Sequence, residues 1–360
     1  MALSKIETQA LDVGQIGGRR NLIINGAAVH DQRNGGSSFT PTASGQYTLD
    51  RWRPNMSASS KFSVQQSTES PASFTNSVLI TSLAATTVSA SDQYFIGTRL
   101  EGYNIAHLNF GSSDAQTITL SFWVRSSLTG TFGAGIFNSA ANRCFPISYT
   151  ISSADTWEQK TVTIAGDTSG TWVTDNGVGL QLIFSLGIGS TFQGTAGAWT
   201  SSAHLTASST VNLVETNGAT FYFTGVQLEV GSVATPFEHR SYGEELTLCQ
   251  RYYYRWTQGA QYGAIAVGMV EQSNELRWVI DFPTIMRANP EQAISSTSHW
   301  TAWDASFSTN LNTRLAYYAS TQNAFIRYSG NSSGFTIGRA LTLYTTEPAG
   351  TAWMEFNAEL

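Results

Sequence analysis

Four residues of this 360-residue chain combine charge and aromatic surface at strand spacing: Arg99 and Glu101 in TRLEGY, and Trp123 and Arg125 in QTITLSFWVRSS. Alternate residues of a strand share a face. Arg99 and Glu101 therefore point the same way, and Trp123 and Arg125 lie opposite Ile118, Leu120, Phe122 and Val124. If the two strands are neighbours, the four residues form one polar-aromatic patch. Its chemistry would be sugar binding, with a pyranose stacked on the indole and hydrogen-bonded by guanidinium and carboxylate. The same four residues also suit a salt-bridged packing cluster or a contact with a second subunit. Exposed Arg–Glu pairs add little stability, so they do not by themselves explain such a cluster.

Other chemistry has a thinner basis. A glycosidase needs two opposed carboxylates around the scissile bond; the 25 Asp and Glu residues are scattered and show no convergent pair. The five histidines stand at no metal-ligand spacing from one another or from a cysteine. Cys144 and Cys249 are far apart in sequence and read as two reduced, buried thiols. These observations predict a protein that is not an enzyme.

Charged residues make up 12% of the chain, against about 25% in an average globular protein, while aromatics also make up 12%. That aromatic content argues against disorder. The surface is then polar but uncharged, rich in Ser, Thr, Asn and Gln. With a formal net charge of -6 and no basic stripe, nucleic-acid binding has no support. No apolar run reaches the ~18 residues of a membrane span, which predicts no membrane insertion. Residues 1–20 lack the apolar region of a secretory signal, so synthesis in a cytoplasm is expected.

The elements that must position the patch are β-strands. NLIING ends at an Asn25-Gly26 turn signal; YTLDRW, SVLITSLA, QYFIGTRLEG, FPISYTI, WEQKTVTI, VGLQLIFSLG and ATFYFTGVQLEVG follow. Many short alternating strands between Gly/Ser/Asn/Asp turns imply a sandwich or barrel. Pro236 stops this run. Ser241-x-x-Glu244 then reads as a capping box, and Leu246, Cys249 and Tyr253 share a helical face. After Trp256 the strand pattern returns to the end of the chain. The expected fold class is all-β: a β-sandwich over 21–241, a short linking helix within 242–256, and a second, smaller antiparallel β-sandwich over 257–360. Residues 1–20 form an arm with too little apolar surface to fold alone. Leu246, Cys249, Tyr252, Tyr253, Tyr254 and Trp256 are expected to pack between domains or subunits, because amphipathic aromatics suit such joints.

NLIINGA at 21–27 is similar to the opening strand of carbohydrate-binding jelly rolls of the family 4/9 kind, and FYFTGVQLEVG at 221–231 to their closing strand. GGRRNLIINGA, YTLDRW, TWEQKTVTIAGDTSGTW and TGVQLEVGSVATPFEHRSYGEELTLCQRYYYRW, in this order, also resemble tail-fibre and structural proteins of tailed bacteriophages. So does the 99–132 stretch beginning RLEGYNIAHLNF; the resemblance covers about residues 17–256. It implies a homotrimeric virion appendage, made in the bacterial host cytoplasm. The arm would attach to phage tail or baseplate proteins, and the jelly roll would hold host cell-surface polysaccharide without catalysis. Two alternatives stay open: a purely structural baseplate, collar or head-fibre component, and a polysaccharide depolymerase. By analogy with carbohydrate-binding sandwiches, a structural calcium on Asp50, Glu229 and loop carbonyls is conceivable, although no acidic loop supplies the six to eight oxygens calcium prefers.

Overall fold

The computed structural model describes residues 19–257 and 259–360. The expected attachment arm lies outside the described residues but for Arg19 and Arg20. The chain divides into two compact units: one ends at Tyr242 and also takes in Leu360, and the other is Gly243–Glu359.

The first unit contains β1 (Arg53–Met56), β2 (Phe62–Ser67), β3 (Ser77–Ser82), β4 (Gln93–Glu101), β5 (Ile118–Ser126) and β6 (Gly130–Phe137). It continues with β7 (Cys144–Ile151), β8 (Glu158–Ile164), β9 (Val178–Ile188), the two-residue β10 (Gln193–Gly194) and β11 (Thr206–Ala207), and β12 (Thr220–Val230). Ten of these strands make two five-stranded sheets, ordered β1-β4-β9-β6-β7 and β2-β3-β12-β5-β8. Every pairing within the two sheets is antiparallel. This is the expected sandwich, and its inner residues follow the alternation read from the sequence. Phe122 of β5, Phe184 of β9 and Phe221 and Phe223 of β12 are all fully buried with Trp52. Phe184 stacks on Phe223 at 4.8 Å, and Trp52 meets Phe223 edge-on at 4.6 Å. Each buried ring contributes about 2–3 kcal/mol.

Two expected strands are absent. Asn21–Gly26 runs beside β12 without strand geometry, because the Asn21 side chain takes over part of the ladder: its Oδ1 accepts from the amides of Ile23 and Leu228. Asn25, at φ +58°, uses its side chain to accept from the His30 amide and to donate to the carbonyls of His30 and Asp50. A Cβ on Gly26 would lie 2.2 Å from the Val226 carbonyl oxygen, so only glycine fits the turn. YTLDRW is likewise a turn, with Arg51 buried at φ +71° and the strand starting at Arg53. Arg20, assigned to the arm, is held by the sandwich: its amide donates to Glu238 at 3.0 Å and its guanidinium lies 3.5 Å from Glu229.

In the second unit, a short helix (Tyr242–Gln250) starts one residue after Ser241, as the capping pattern predicts. The linker read as 242–256 is not all helix, since β13 (Tyr253–Thr257) already pairs with β21 (Trp353–Asn357), which also pairs with β16 (Glu291–Ile294). The remaining strands are β14 (Ala264–Gln272), β15 (Glu275–Asp281), β17 (Thr301–Trp303), β18 (Ser308–Ala319), β19 (Asn323–Gly330) and β20 (Ala340–Tyr344). They close into a barrel in the order β14-β15-β19-β18-β17-β20. The expected small antiparallel unit is thus a barrel with a three-stranded sheet, and closure removes the edges an open sandwich would expose. Its core includes Trp278, Trp300, Leu276, Ile326, Met354 and Phe356.

Candidate ligand-binding surfaces

β4 and β5 are not neighbours. β4 lies between β1 and β9 in one sheet, and β5 between β12 and β8 in the other. Arg99 and Glu101 therefore do not share a patch with Trp123 and Arg125, and the four-residue site divides between the two sheets. Alternation assigns a face but not a neighbouring strand, which is why the sequence suggested otherwise.

The Arg99 half is closed. Glu101 is buried, and Arg99 donates from Nε to Gln181 at 2.9 Å. Burial, then the charge of Arg53, lowers the Arg99 pKa. Further along this outer face, Phe137, Cys144, Ile183, Ile188 and Leu205 form an apolar cluster under the segment carrying β10 and β11. Gly133 and Gly135 of β6 make room for it: a Cβ on Gly135 would sit 2.0 Å from the Leu205 carbonyl oxygen, and one on Gly133 1.9 Å from Thr206 Oγ1. Burial pushes the Cys144 thiol up to about 12. Both cysteines are free and buried.

The Trp123 half is open. Across β12 and β5, Tyr222 stands opposite Arg125 and Thr224 opposite Trp123; Gln159 of β8 faces Trp123 from the other side. The Arg125 guanidinium carbon lies 5.2 Å from the Tyr222 ring centroid, and Trp157 meets Tyr222 edge-on at 6.0 Å. Arg125 also reaches Glu69 at 3.3 Å and Asp155 at 3.6 Å, both largely exposed. Trp123, Arg125, Trp157 and Tyr222 are each half-buried. A bulge at Gly225, φ +58°, brings Trp123 and Phe74 against the β12 backbone. The result is a shallow row of aromatic faces fringed by one cation and two carboxylates. Such a surface can stack an apolar sugar face and hydrogen-bond its hydroxyls.

A loop-end cleft of about 240 Å³ was not foreseen. It is lined by Asn109, Phe110, Ser112, Trp172 and Thr174 among others. Phe110, Trp172 and Trp199 meet edge-on, with centroids 4.9–5.8 Å apart. Behind them Asp167 accepts from Trp172 Nε1 and from Arg143 at two positions. These aromatics come from separate loops with no shared periodicity. The available signal was a single large ring in each turn-rich stretch, HLNFGSSD and GTWVTDNG.

Of the residues expected to pack at a joint, three have partners within the second unit. Tyr254 stacks on Phe356 at 6.1 Å and Trp256 meets Trp300 at a tilt at 5.5 Å, both against the second unit's core. Tyr253 is buried and donates to Glu355 at 2.5 Å. Cys249 and Tyr252 are buried, and Leu246 is half-buried. Asp50 accepts from Gln32 and Arg33, and Glu229 from Gln227 and Thr235. Protein donors thus occupy the two carboxylates considered for calcium, and no three-residue metal-ligand group occurs among the described residues. Gly330–Gly334 spells G-x-S-x-G, but it follows β19 into a turn rather than a helix, and Ser332 donates to Thr309 at 3.1 Å. That geometry is not a nucleophile elbow. Among the described residues no helix is long and apolar enough to cross a membrane.

No family model and no curated protein matches the chain. Solved structures overlap it weakly. The enzymatically active domain of tailspike protein 4 from bacteriophage CBA120 is 11% identical, with a TM-score of 0.32 over 58% of this chain and 21% of that one. A CBM4 structure is 17% identical, with a TM-score of 0.28 over 57% of this chain and 98% of that one. The C-terminal family 22 carbohydrate-binding module of Clostridium thermocellum Xyn10B is 13% identical, with a TM-score of 0.29 over 56% and 99%. Overlaps this slight carry neither a fold nor an activity across; the sandwich rests on its own strand pairing.

Proposed function

We propose that this chain is a non-catalytic, glycan-binding appendage protein of a phage virion, a tail fibre or its like, working as a homotrimer. One observation carries the binding part: Trp123, Arg125, Tyr222 and Trp157 reach the surface side by side on one outer face, while an apolar cluster packs under the β10–β11 segment on the other. The virion setting comes from the sequence resemblance, with residues 1–20 as the attachment to tail or baseplate proteins. Three shallow sites on one trimer would gain avidity without any new contact.

The test is retention of purified chain on host cells and on their extracted surface polysaccharide, for wild type and Trp123→Ala. Loss of retention in the variant supports the reading; equal retention, or turnover of the polysaccharide, opposes it. A second reading has its own support. Arg125 is held by Glu69, Asp155 and Tyr222 at once, which also suits a subunit contact in a purely structural component. In that case Trp123→Ala would lower the trimer's mass in light scattering rather than its retention.

A further inference from the structure

The barrel carries a second aromatic surface that neither the strand pattern nor the resemblance singled out. On its outer face Val267, Thr342 and Trp303 stand side by side across β14, β20 and β17. Val267 is 71% exposed and Trp303 47%. The small Thr342 between them makes a trough, with the indole as one wall and the valine as the other. Two adjoining clefts, of about 360 and 340 Å³, share Trp303 and Thr342. Each falls within the usual range for small-ligand sites.

The two ends differ in chemistry. Tyr262 and Tyr344 line one, with centroids 6.4 Å apart. Tyr262 is 66% exposed and sits at φ +66°, a costly backbone conformation for a bulky residue, held by its amide bond to the Thr345 carbonyl. Arg339 lines the other end with its side chain half exposed. Its Nη1 donates to Ser306 at 2.6 Å and lies 3.9 Å from Asp304 Oδ2, while Nε and Nη2 have no protein partner among the described residues. Asp304 is buried, and its Oδ1 accepts from the Ser306 amide and hydroxyl and from the Phe307 amide. It is a fixed anion 3.9 Å from Arg339, which Ser306 holds at the mouth of the trough, and Ala305 beside it is at φ +72°.

We propose that this trough binds a carboxylate-bearing pyranose of an acidic polysaccharide, with the ring stacked on Trp303 and the carboxylate taken by Arg339. Planar guanidinium suits bidentate carboxylate recognition, and the half-exposed Arg339 is the cation that lines the trough. An apolar protein segment would cover Arg339 without offering its Nε and Nη2 hydrogens an acceptor. The assignment takes its ligand class from the adhesin reading, but its residues lie in the other unit.

Affinity electrophoresis of the full chain through gels containing alginate, polygalacturonate or hyaluronan, with dextran and amylose as neutral controls, tests it. Wild type should be retarded by at least one uronate polymer about tenfold more strongly than by either neutral one, a gap of about 1.4 kcal/mol. Arg339→Gln should abolish that preference. Trp303→Ala and Thr342→Trp, which removes the wall and fills the trough respectively, should each weaken retardation about tenfold. Val233→Ala, at a 73% exposed residue outside both aromatic surfaces, should leave the uronate preference unchanged. Equal retardation by uronate and neutral polymers, or a preference that survives Arg339→Gln or both trough variants, would overturn the assignment. If that occurs while Trp123→Ala still abolishes host-cell retention, the barrel site fails and the adhesin reading stands.

Discussion

At the scale of single residues, Trp123 and Asp304 make the sharpest claims. Trp123 is half-buried on an outer face, and its indole lies beside Gly225 rather than in the core cluster. Replacing it with alanine removes a partly packed ring and should cost about 1–2 kcal/mol of folding stability, yet lower polysaccharide retention about tenfold or more. Thermal melting and retention, measured on one preparation, separate the two effects. For Asp304, burial pushes the carboxyl up. The amides of Ser306 and Phe307, the Ser306 hydroxyl and the Thr336 amide outweigh that push and hold it at about 2. A carboxyl held below its ordinary value stabilises the fold at pH above about 4, and that contribution fades as pH falls towards about 2. Melting curves from pH 5 to pH 2 should therefore show a falling barrel transition, and the fall should be shallower in Asp304→Asn.

At the scale of elements, what the sequence disclosed depended on which force set each element. β5 was legible because it obeys strict alternation, and β12 because it alternates on either side of its Gly225 bulge, with Phe122, Phe221 and Phe223 all inward. Asn21–Gly26 and Tyr47–Trp52 misled, because side-chain bonds from Asn21 and Asn25 replace ladder bonds, and no hydrophobic pattern reports that. The split of Arg99 from Trp123 was equally hidden, since period two is identical in either sheet. Closure of the β4–β9–β6 face depends on Gly133 and Gly135, whose missing side chains carry no hydrophobic pattern to read. Gly135→Ala should destabilise the first unit by about 1–3 kcal/mol through overpacking against Leu205. It should also speed the reaction of Cys144 with a thiol reagent at neutral pH, where the native thiol, raised to about 12, is nearly inert.

At the scale of the whole molecule, the chain is two independently cored units. Calorimetry should resolve two transitions. Gly26→Ala, with its Cβ 2.2 Å from the Val226 carbonyl oxygen, should lower only the sandwich transition, and Asp304→Asn only the barrel's. The all-β class followed from strand alternation and turn spacing. The barrel closure did not, because closing a sheet depends on strand tilt and stagger that side-chain alternation does not encode.

The central claim is that the open face of the sandwich holds host-surface glycan and that the protein presents several copies of it. The most direct measurement is the retention of purified chain on extracted host polysaccharide, with its mass followed by light scattering. Wild type should form a particle of three times the 38.9 kDa chain mass and be retained. Trp123→Ala should form a particle of the same mass and not be retained. A monomer at micromolar concentration, or a Trp123→Ala trimer retained as well as wild type, would contradict that claim.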